Sequence, residues 1–308
     1  MTPDPEPRAM EITISAPDNF SFRRTALSHG WYDLPPFYFD ERTWTLTRVI
    51  DLPPNRPVTV EIRGDRRSIR VSAARKLGRR SEAKVIRDVR HMFRLDDDMT
   101  SFYAGVRDEP EFRWIAESGA GRLLRAPTVF EDLVKTLCTT NCSWALTSKM
   151  VAALVDTLGA KTEDGRRSFP TAEAMASVDE TFYREQVRAG YRAPYLKELA
   201  ERVASGTIDV ESWLESDLAT SALNREIRGV KGVGQYSAEN LLRLIGRYDG
   251  LALDSWVRAE FAKKHNGGRK ASDKKIARSY KRFGEWSGLA FWCDMTHGWL
   301  SGDEDGKW

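Results

Sequence analysis

The 308-residue chain is poor in the residues that metal and disulfide chemistry need, with three cysteines and four histidines. Cys138, Cys142 and Cys293 are odd in number and poorly spaced for a disulfide framework. They also fall short of the thiolate set of an iron–sulfur cluster. His29, His91, His265 and His297 are scattered, with no HExxH and no Cys/His zinc spacing. No apolar run reaches membrane-span length, so no membrane partner is expected. The opening MTPDPEPRAM lacks the apolar stretch of a secretory signal. Charge of one sign is lacking too: 48 Lys and Arg face 45 Asp and Glu, a net +3. Together these absences predict a cytoplasmic protein without a transition metal.

What is present reads as globular. The chain is 41% hydrophobic and 30% charged, and it is long enough for one or two domains with a large core. Two basic runs stand out, RGDRRSIRVSAARKLGRR (63–80) and KKHNGGRKASDKK (263–275). Each reads either as a solvated loop or as a segment that tracks phosphate.

Residues 11–73 read as antiparallel strands. EITISA, TWTLTRV (43–49), VTVEIRG (58–64) and SIRVS (68–72) alternate apolar and polar residues between turn signals. LPPFYF and LPPNRP read as loops or sheet edges. From about residue 81 the period changes. Val85, Ile86, Val89, Met92 and Phe93 recur at helical spacing, as do Val129, Phe130, Leu133, Val134 and Leu137. Leu146 to Val155, Leu196 to Ala200 and Leu241 to Ile245 continue the pattern. The expected class is α+β: an N-terminal antiparallel β domain (1–80), a mostly helical domain (81–300) and a short tail (301–308).

ALNREIRGVKGVGQYSAENLLRLIG carries the most specific signal. It fits helix–hairpin–helix, the first helix ending near Arg228 and the second starting near Tyr236. Gly232 and Gly234 permit a tight turn with positive φ. Free N–H groups and the positive end of the second helix then point out of the turn, where a DNA phosphate can approach. A lone GxG is usually only a capped helix connection. The full VKGVGQYSA string between apolar helices is more specific. Asp254, twenty residues after Gly234, reads as the N-cap of SWVRAEFAKK. A carboxylate held at such a helix start can also face a cleft, where it stabilises positive charge or orients water.

The hairpin with its downstream Asp resembles the helix–hairpin–helix (HhH-GPD) superfamily of DNA base-excision glycosylases. The resemblance is collinear over most of residues 11–296. LLRAPTVFEDLVKTLCTTNCSWALTSKM (123–150) resembles the helix of 8-oxoguanine DNA glycosylases that carries an Asn-rich segment. GYRAPYL (190–196) resembles their duplex wedge, and DNFSFRR (18–24) and RTWTLTR (42–48) resemble their β domain. GEWSGLAFWCDM (284–295) resembles the last helix, which lines the base pocket.

The resemblance implies roles. Asp254 takes the catalytic carboxylate position. Val230, Gly232, Val233 and Gly234 hold a phosphate through backbone N–H groups, and hairpin carbonyls can bind Na⁺ or K⁺. Lys231 stands where related hairpins have Pro and faces phosphate, with an amine role as its alternative. Asn141, Tyr191 and Arg192 fill and wedge the gap left by the flipped nucleotide. No cofactor is required, and the partner is double-stranded DNA carrying a modified base, bound by a monomer.

The sequence also departs from the pattern. Bifunctional members carry a lysine at the position of Tyr236, and a phenol cannot form a Schiff base. This chain therefore reads as monofunctional, similar at the hairpin to 3-methyladenine DNA glycosylase II. Phe291 and Met295 stand where the 8-oxoguanine enzymes have Gln and Phe. Asn19 replaces the glycine that reads the oxidised purine, and Cys142 and Ser143 replace further Asn residues. The expected pocket is aromatic and soft: Tyr236, Phe291, Trp292, Met295 and Phe20. It favours an alkylated purine of the 3-methyladenine type through cation–π attraction worth roughly 1–2 kcal/mol. The alternatives are 8-oxoguanine, a modified cytosine (including hypermodified foreign DNA) and, in another class, a non-catalytic DNA-binding hairpin module.

Overall fold

The computed structural model describes residues 10–53 and 56–300, and for Leu300 the backbone alone. The tail expected over 301–308 and the first nine residues lie outside these. Five strands form one antiparallel sheet: β1 (Met10–Ser15), β2 (Phe37–Asp40), β3 (Thr45–Ile50), β4 (Val58–Gly64) and β5 (Ser68–Ala73). Their order is β1-β5-β4-β3-β2, so the last four make a meander and β1 returns to its far edge. LPPFYF supplies β2, an edge strand paired only with β3 through Phe37↔Arg48 to Asp40↔Thr45. That is where a strand following two prolines is tolerated. DNFSFRR contributes no strand; it leads into a short helix, α1 (Phe22–Ala26), capped by Ser21.

The alternation seen in the sequence holds in β4, where Val58, Val60 and Ile62 are buried and Glu61 is exposed. It breaks in β3, where Arg48 and Val49 are both buried although they face opposite sides. Arg48 makes a two-bond pair with Glu131, Nη1 to Oε1 at 2.8 Å and Nη2 to Oε2 at 2.5 Å.

Helices follow from α2 (Arg79–Met92) onward: α3 (Thr100–Arg107), α4 (Arg113–Ser118), α5 (Val129–Thr139) and α6 (Trp144–Leu158). Then come α7 (Ala172–Ala176), α8 (Glu180–Glu185), α9 (Ala193–Ala204), α10 (Thr220–Ile227) and α11 (Gln235–Leu244). The last three are α12 (Ser255–His265), α13 (Asp273–Tyr280) and α14 (Ser287–Leu300). Each periodic segment read from the sequence is one of these. Buried residues of the sheet and of the helices belong to one continuous cluster. None of the described helices is long and apolar enough to cross a membrane.

Two devices position the site. α5 starts with Thr128 as N-cap, and its first N–H groups, on Val129 and Phe130, donate to Glu211 at 2.9 Å each. This satisfies donors that have no intrahelical partner and places negative charge at the positive helix end. At the other side, α14 begins against the loop that leads to Asp254. Gly288 N–H donates to the Tyr248 carbonyl at 2.6 Å, and a Cβ on Gly288 would fall 1.9 Å from the Gly250 carbonyl oxygen. Neither backbone segment can yield cheaply. Gly288→Ala is therefore expected to cost about 2–3 kcal/mol of stability, read as a lowered denaturation midpoint. An unchanged midpoint would show that α14 and the loop separate freely.

Candidate active site

The hairpin forms where the glycines require it. α10 ends at the cap Arg228, and the chain turns through residues 229–234 before α11. Gly232 has φ +85°, and its Cα packs against Tyr195 so closely that a Cβ would lie 2.5 Å from that ring. Gly234 caps α11 with its backbone alone, and nothing stands within 4 Å of where its Cβ would be. That open space lets a ligand reach the first N–H groups of α11. Val230 and Val233 are buried and anchor the turn, with Val233 N–H donating to the Val230 carbonyl at 3.1 Å. Lys231 is exposed and pairs with Glu198 of α9 at 2.6 Å.

Asp254 caps α12, its Oδ1 accepting from Val257 N–H at 2.8 Å. It also lines a cavity of about 830 Å3. The two readings of Asp254 coexist in the geometry: the cap fixes the carboxylate, and the cleft exposes it. Tyr236, on the first turn of α11, lines the same cavity. Burial raises its pKa well above the ordinary tyrosine value, and the nearby negative charge of Asp254 raises it further. Tyr236 is thus a neutral phenol near the carboxylate.

The rest of the wall is aromatic. Trp31, Trp144, Trp256, Trp292 and Trp299 face the cavity together with His29, Tyr32 and Arg243. Three of the indoles are placed by a partner. Trp31 Nε1 donates to the buried Asp132 at 2.7 Å, Trp144 Nε1 to Asp33 at 2.9 Å, and Trp292 Nε1 to the Ser28 carbonyl at 3.0 Å. Trp144 lies flat on Gly30, where a Cβ would come within 2.3 Å of its ring. The Arg243 guanidinium is buried, sits 5.0 Å from the Trp292 ring centroid and donates to the Leu251 carbonyl at 2.9 Å. Burial pushes its pKa down to about 10, so it stays cationic at neutral pH.

His29 Nε2 bonds the Leu124 carbonyl, so the neutral ring carries its hydrogen there. Burial lowers its pKa to about 4, against the opposing effect of that bond. His91, elsewhere in the core, is lowered to about 3, first by burial and then by Arg125 and Arg94. Both folded values lie below the ordinary one near 6.5. Below about pH 6.5 the unfolded chain binds protons the folded chain refuses, so stability falls with pH from there toward 4. Urea titrations at pH 7, 5.5 and 4.5 are expected to show this decline. The same argument leaves the His29 charge constant above pH 5, so a pH–rate profile should carry no step from it.

Three of the residues read as pocket are elsewhere. Phe20, Phe291 and Met295 are buried in the core and do not line the cavity. Phe20 packs edge-on against Phe93, and Phe291 edge-on against Tyr280 with centroids 5.0 Å apart. On α14, Phe291 and Met295 share one face at i, i+4, turned to the core, while Trp292 and Trp299 share another at i, i+7. Asn19 is also outside, its side chain accepting from Arg122 at 3.4 Å. Trp256 and Trp299 were not singled out in the sequence, although their spacing from Asp254 and Trp292 was available to find them.

The wedge residues divide. Asn141 (φ +46°) and Tyr191 are exposed and bonded to each other, Nδ2 to the phenol oxygen at 3.3 Å. Arg192 is not exposed; it is 4% accessible. Its guanidinium donates to the Thr140 hydroxyl at 3.0 Å and to the Thr140 carbonyl, and lies 4.5 Å from the Tyr191 ring centroid. The carbonyl and the ring hold the cation that was expected to reach an orphaned base. Arg192 in this form positions the loop that carries Asn141. Arg192→Ala is expected to lower the melting temperature and weaken duplex binding about tenfold, because a hydrogen bond to a charged donor is lost. Tyr191→Ala, at an exposed site, should weaken binding without the stability loss. Gel-shift titration and thermal melts separate the two.

Among the described residues no group of His, Cys, Asp and Glu is arranged to hold a metal ion. The profile of the HhH-GPD superfamily of base excision DNA repair proteins matches residues 134–287. The chain belongs to that superfamily, and by class it is a DNA N-glycosylase. No curated protein sequence matches it. Among solved structures it is similar to MBOgg1 in complex with a low-affinity DNA ligand, at 21% identity and TM-score 0.74, over 95% of this chain and 96% of the other. The 3-methyladenine DNA glycosylase from Archaeoglobus fulgidus gives 20% and 0.74, over 94% and 99%. The apo 8-oxoguanine glycosylase/lyase from Clostridium acetobutylicum gives 20% and 0.72, over 92% and 95%. At these identities the shared feature is the fold.

Proposed function

We propose that the chain is a monofunctional glycosylase that acts, as a monomer, on double-stranded DNA carrying a modified base. One observation carries this: Asp254 and Tyr236 stand together in the cavity wall, and no lysine lines that wall among the described residues. Duplex binding uses the N–H groups after Gly232 and Gly234, with Tyr191 and Asn141 at the edge of the flipped nucleotide. The base leaves the stack and enters the aromatic cavity, at a cost of a few kcal/mol that is least for a damaged base.

The chemistry is then a displacement at the sugar carbon. The N-glycosidic bond breaks and its electron pair leaves with the base. The sugar becomes oxocarbenium-like, and the Asp254 carboxylate stabilises that charge. Water bonds to the sugar carbon, and its proton passes to solvent when a cationic base leaves neutral, or to the departing base when that base leaves as an anion, which gives an abasic site. The Val257 N–H bond orients the carboxylate, and the neutral phenol of Tyr236 flanks it. The monovalent cation implied by the resemblance would sit on hairpin carbonyls, where the Val230 oxygen keeps one lone pair beside its bond from Val233.

For the base, the indole wall favours an electron-poor ring, which supports an alkylated purine. A modified cytosine is the second reading, favoured by the size of the cavity. The test is incubation with duplexes carrying single modified bases, read on denaturing gels with and without hot alkali. Strand breakage only after alkali supports the hydrolytic reading. Breakage without alkali, together with borohydride trapping of a protein–DNA adduct, would overturn it in favour of an amine nucleophile, Lys231 first.

A further inference from the structure

Resting on the glycosylase reading, we propose that the cavity takes a flipped base together with a ring-sized substituent on its major-groove edge, held on a shelf formed by Trp256, Trp292 and Trp299. Three observations carry this. The first is volume. The cavity, about 830 Å3, falls in the upper part of the range of roughly 300–1,000 Å3 that accommodates drug-sized ligands. A single base is much smaller than such a ligand.

The second is grouping. Trp292 and Trp299 share one face of α14, and their ring centroids lie 6.0 Å apart. Trp256, two residues after Asp254, completes the group, with centroids 6.1 Å from Trp292 and 5.1 Å from Trp299. Three indoles thus cluster at one end of the cavity wall, beginning two residues from the carboxylate.

The third is chemistry. Trp256 and Trp299 are 38% and 43% exposed, and nothing in the fold covers them. The indole N–H groups of both have no partner among the described residues. Trp31, Trp144 and Trp292 each donate to a protein acceptor, so the two free donors are confined to the outer end. An apolar face with a free donor at its edge suits a ring that stacks on one side and presents oxygen acceptors at its rim. A small methyl group would leave this end of the cavity unfilled.

Two sources provide a stacking ring: a sugar on a hydroxymethylated pyrimidine, which also presents oxygen acceptors, and an aryl adduct on a purine, which offers the stacking face alone. Single-turnover excision by the full chain is compared on four duplexes. They carry 5-hydroxymethylcytosine, its glucosylated form, 7-methylguanine, and 7-benzylguanine. At least one ring-bearing base is expected to be released about tenfold or more faster than its small parent, and the pair that responds names the source. Trp256→Ala and Trp299→Ala are each expected to lower that ratio at least tenfold; Trp256→Phe, which keeps a stacking face, should restore most of it. If the small parents are released as fast as their ring-bearing forms, the shelf is overturned and the glycosylase reading stands. If the ratio is unmoved by both tryptophan variants, the shelf is likewise overturned. Release from none of the four by the wild-type chain would overturn both readings.

Discussion

Replacing Asp254 with Asn is expected to slow base release by on the order of 10³-fold while leaving the fold and duplex binding intact. The reason the fold survives is specific. Asp254 is the N-cap of α12, and Asn accepts the Val257 N–H bond as well as Asp does. The change removes only the negative charge next to the developing cationic sugar. Binding should be equal or slightly tighter, because one carboxylate near phosphates is gone. Asp254→Ala makes the contrast: it removes charge and cap together, adding a stability loss of about 1 kcal/mol. Single-turnover kinetics, gel shifts and melts on both variants read the three effects separately. Near-normal release by the Asn variant would remove Asp254 from the chemistry.

The second large effect is expected at a buried ion cluster whose members do not line the cavity. Glu131 is buried between two buried cations, Arg48 of β3 and Lys135 of its own helix, the latter at 2.7 Å. Burial alone would raise the Glu131 pKa, but Arg48 and Lys135 outweigh it and hold the carboxyl below the ordinary glutamate range. Glu131→Gln leaves two buried charges without a counter-ion. It is expected to cost about 3–5 kcal/mol, enough to remove much of the stability of an average domain. The sign with pH follows from the lowered value. The stabilisation is complete above the unfolded glutamate value near 4.3 and is lost as pH falls through the folded one. Wild type and variant should therefore converge in acid and diverge above pH 5. Parallel curves at every pH would assign the loss to packing rather than to charge.

Much of this was legible in local sequence. The hairpin was readable because Gly232 and Gly234 meet a backbone demand that only nearby residues set. Asp254 was readable because capping is local too. The strands β1, β3, β4 and β5 and the long amphipathic helices followed from period. The pocket wall was not readable in the same way. Trp31 reaches the cavity because Asp132, one hundred and one positions later, takes its indole N–H. Trp144 does so because Gly30 leaves room for its ring. Pairings at that separation leave no periodic trace. On α14 the failure was one of phase: Phe291 and Met295 look as suitable as Trp292 until the contact with Tyr280 fixes which face is inward. The partner of Arg192 was not legible either, because a sequence match carries over a residue type, while the Thr140 carbonyl decides where the guanidinium rests.

The cavity wall is assembled from three separate stretches of chain. Asp254, Tyr236 and the hairpin lie within residues 134–287, the part the superfamily shares. His29, Trp31 and Tyr32 come from before it, and Trp292 and Trp299 from after it. On the proposed reading, reaction sits in the shared part, while recognition is divided: Trp144 and Trp256 lie inside that part and the other wall tryptophans outside it. Substitutions before or after the shared part would then change what is accepted without altering the chemistry at Asp254. A chimera that exchanges residues 27–34 and 288–299 between two relatives is expected to shift base preference, and exchanging position 256 as well to shift it further.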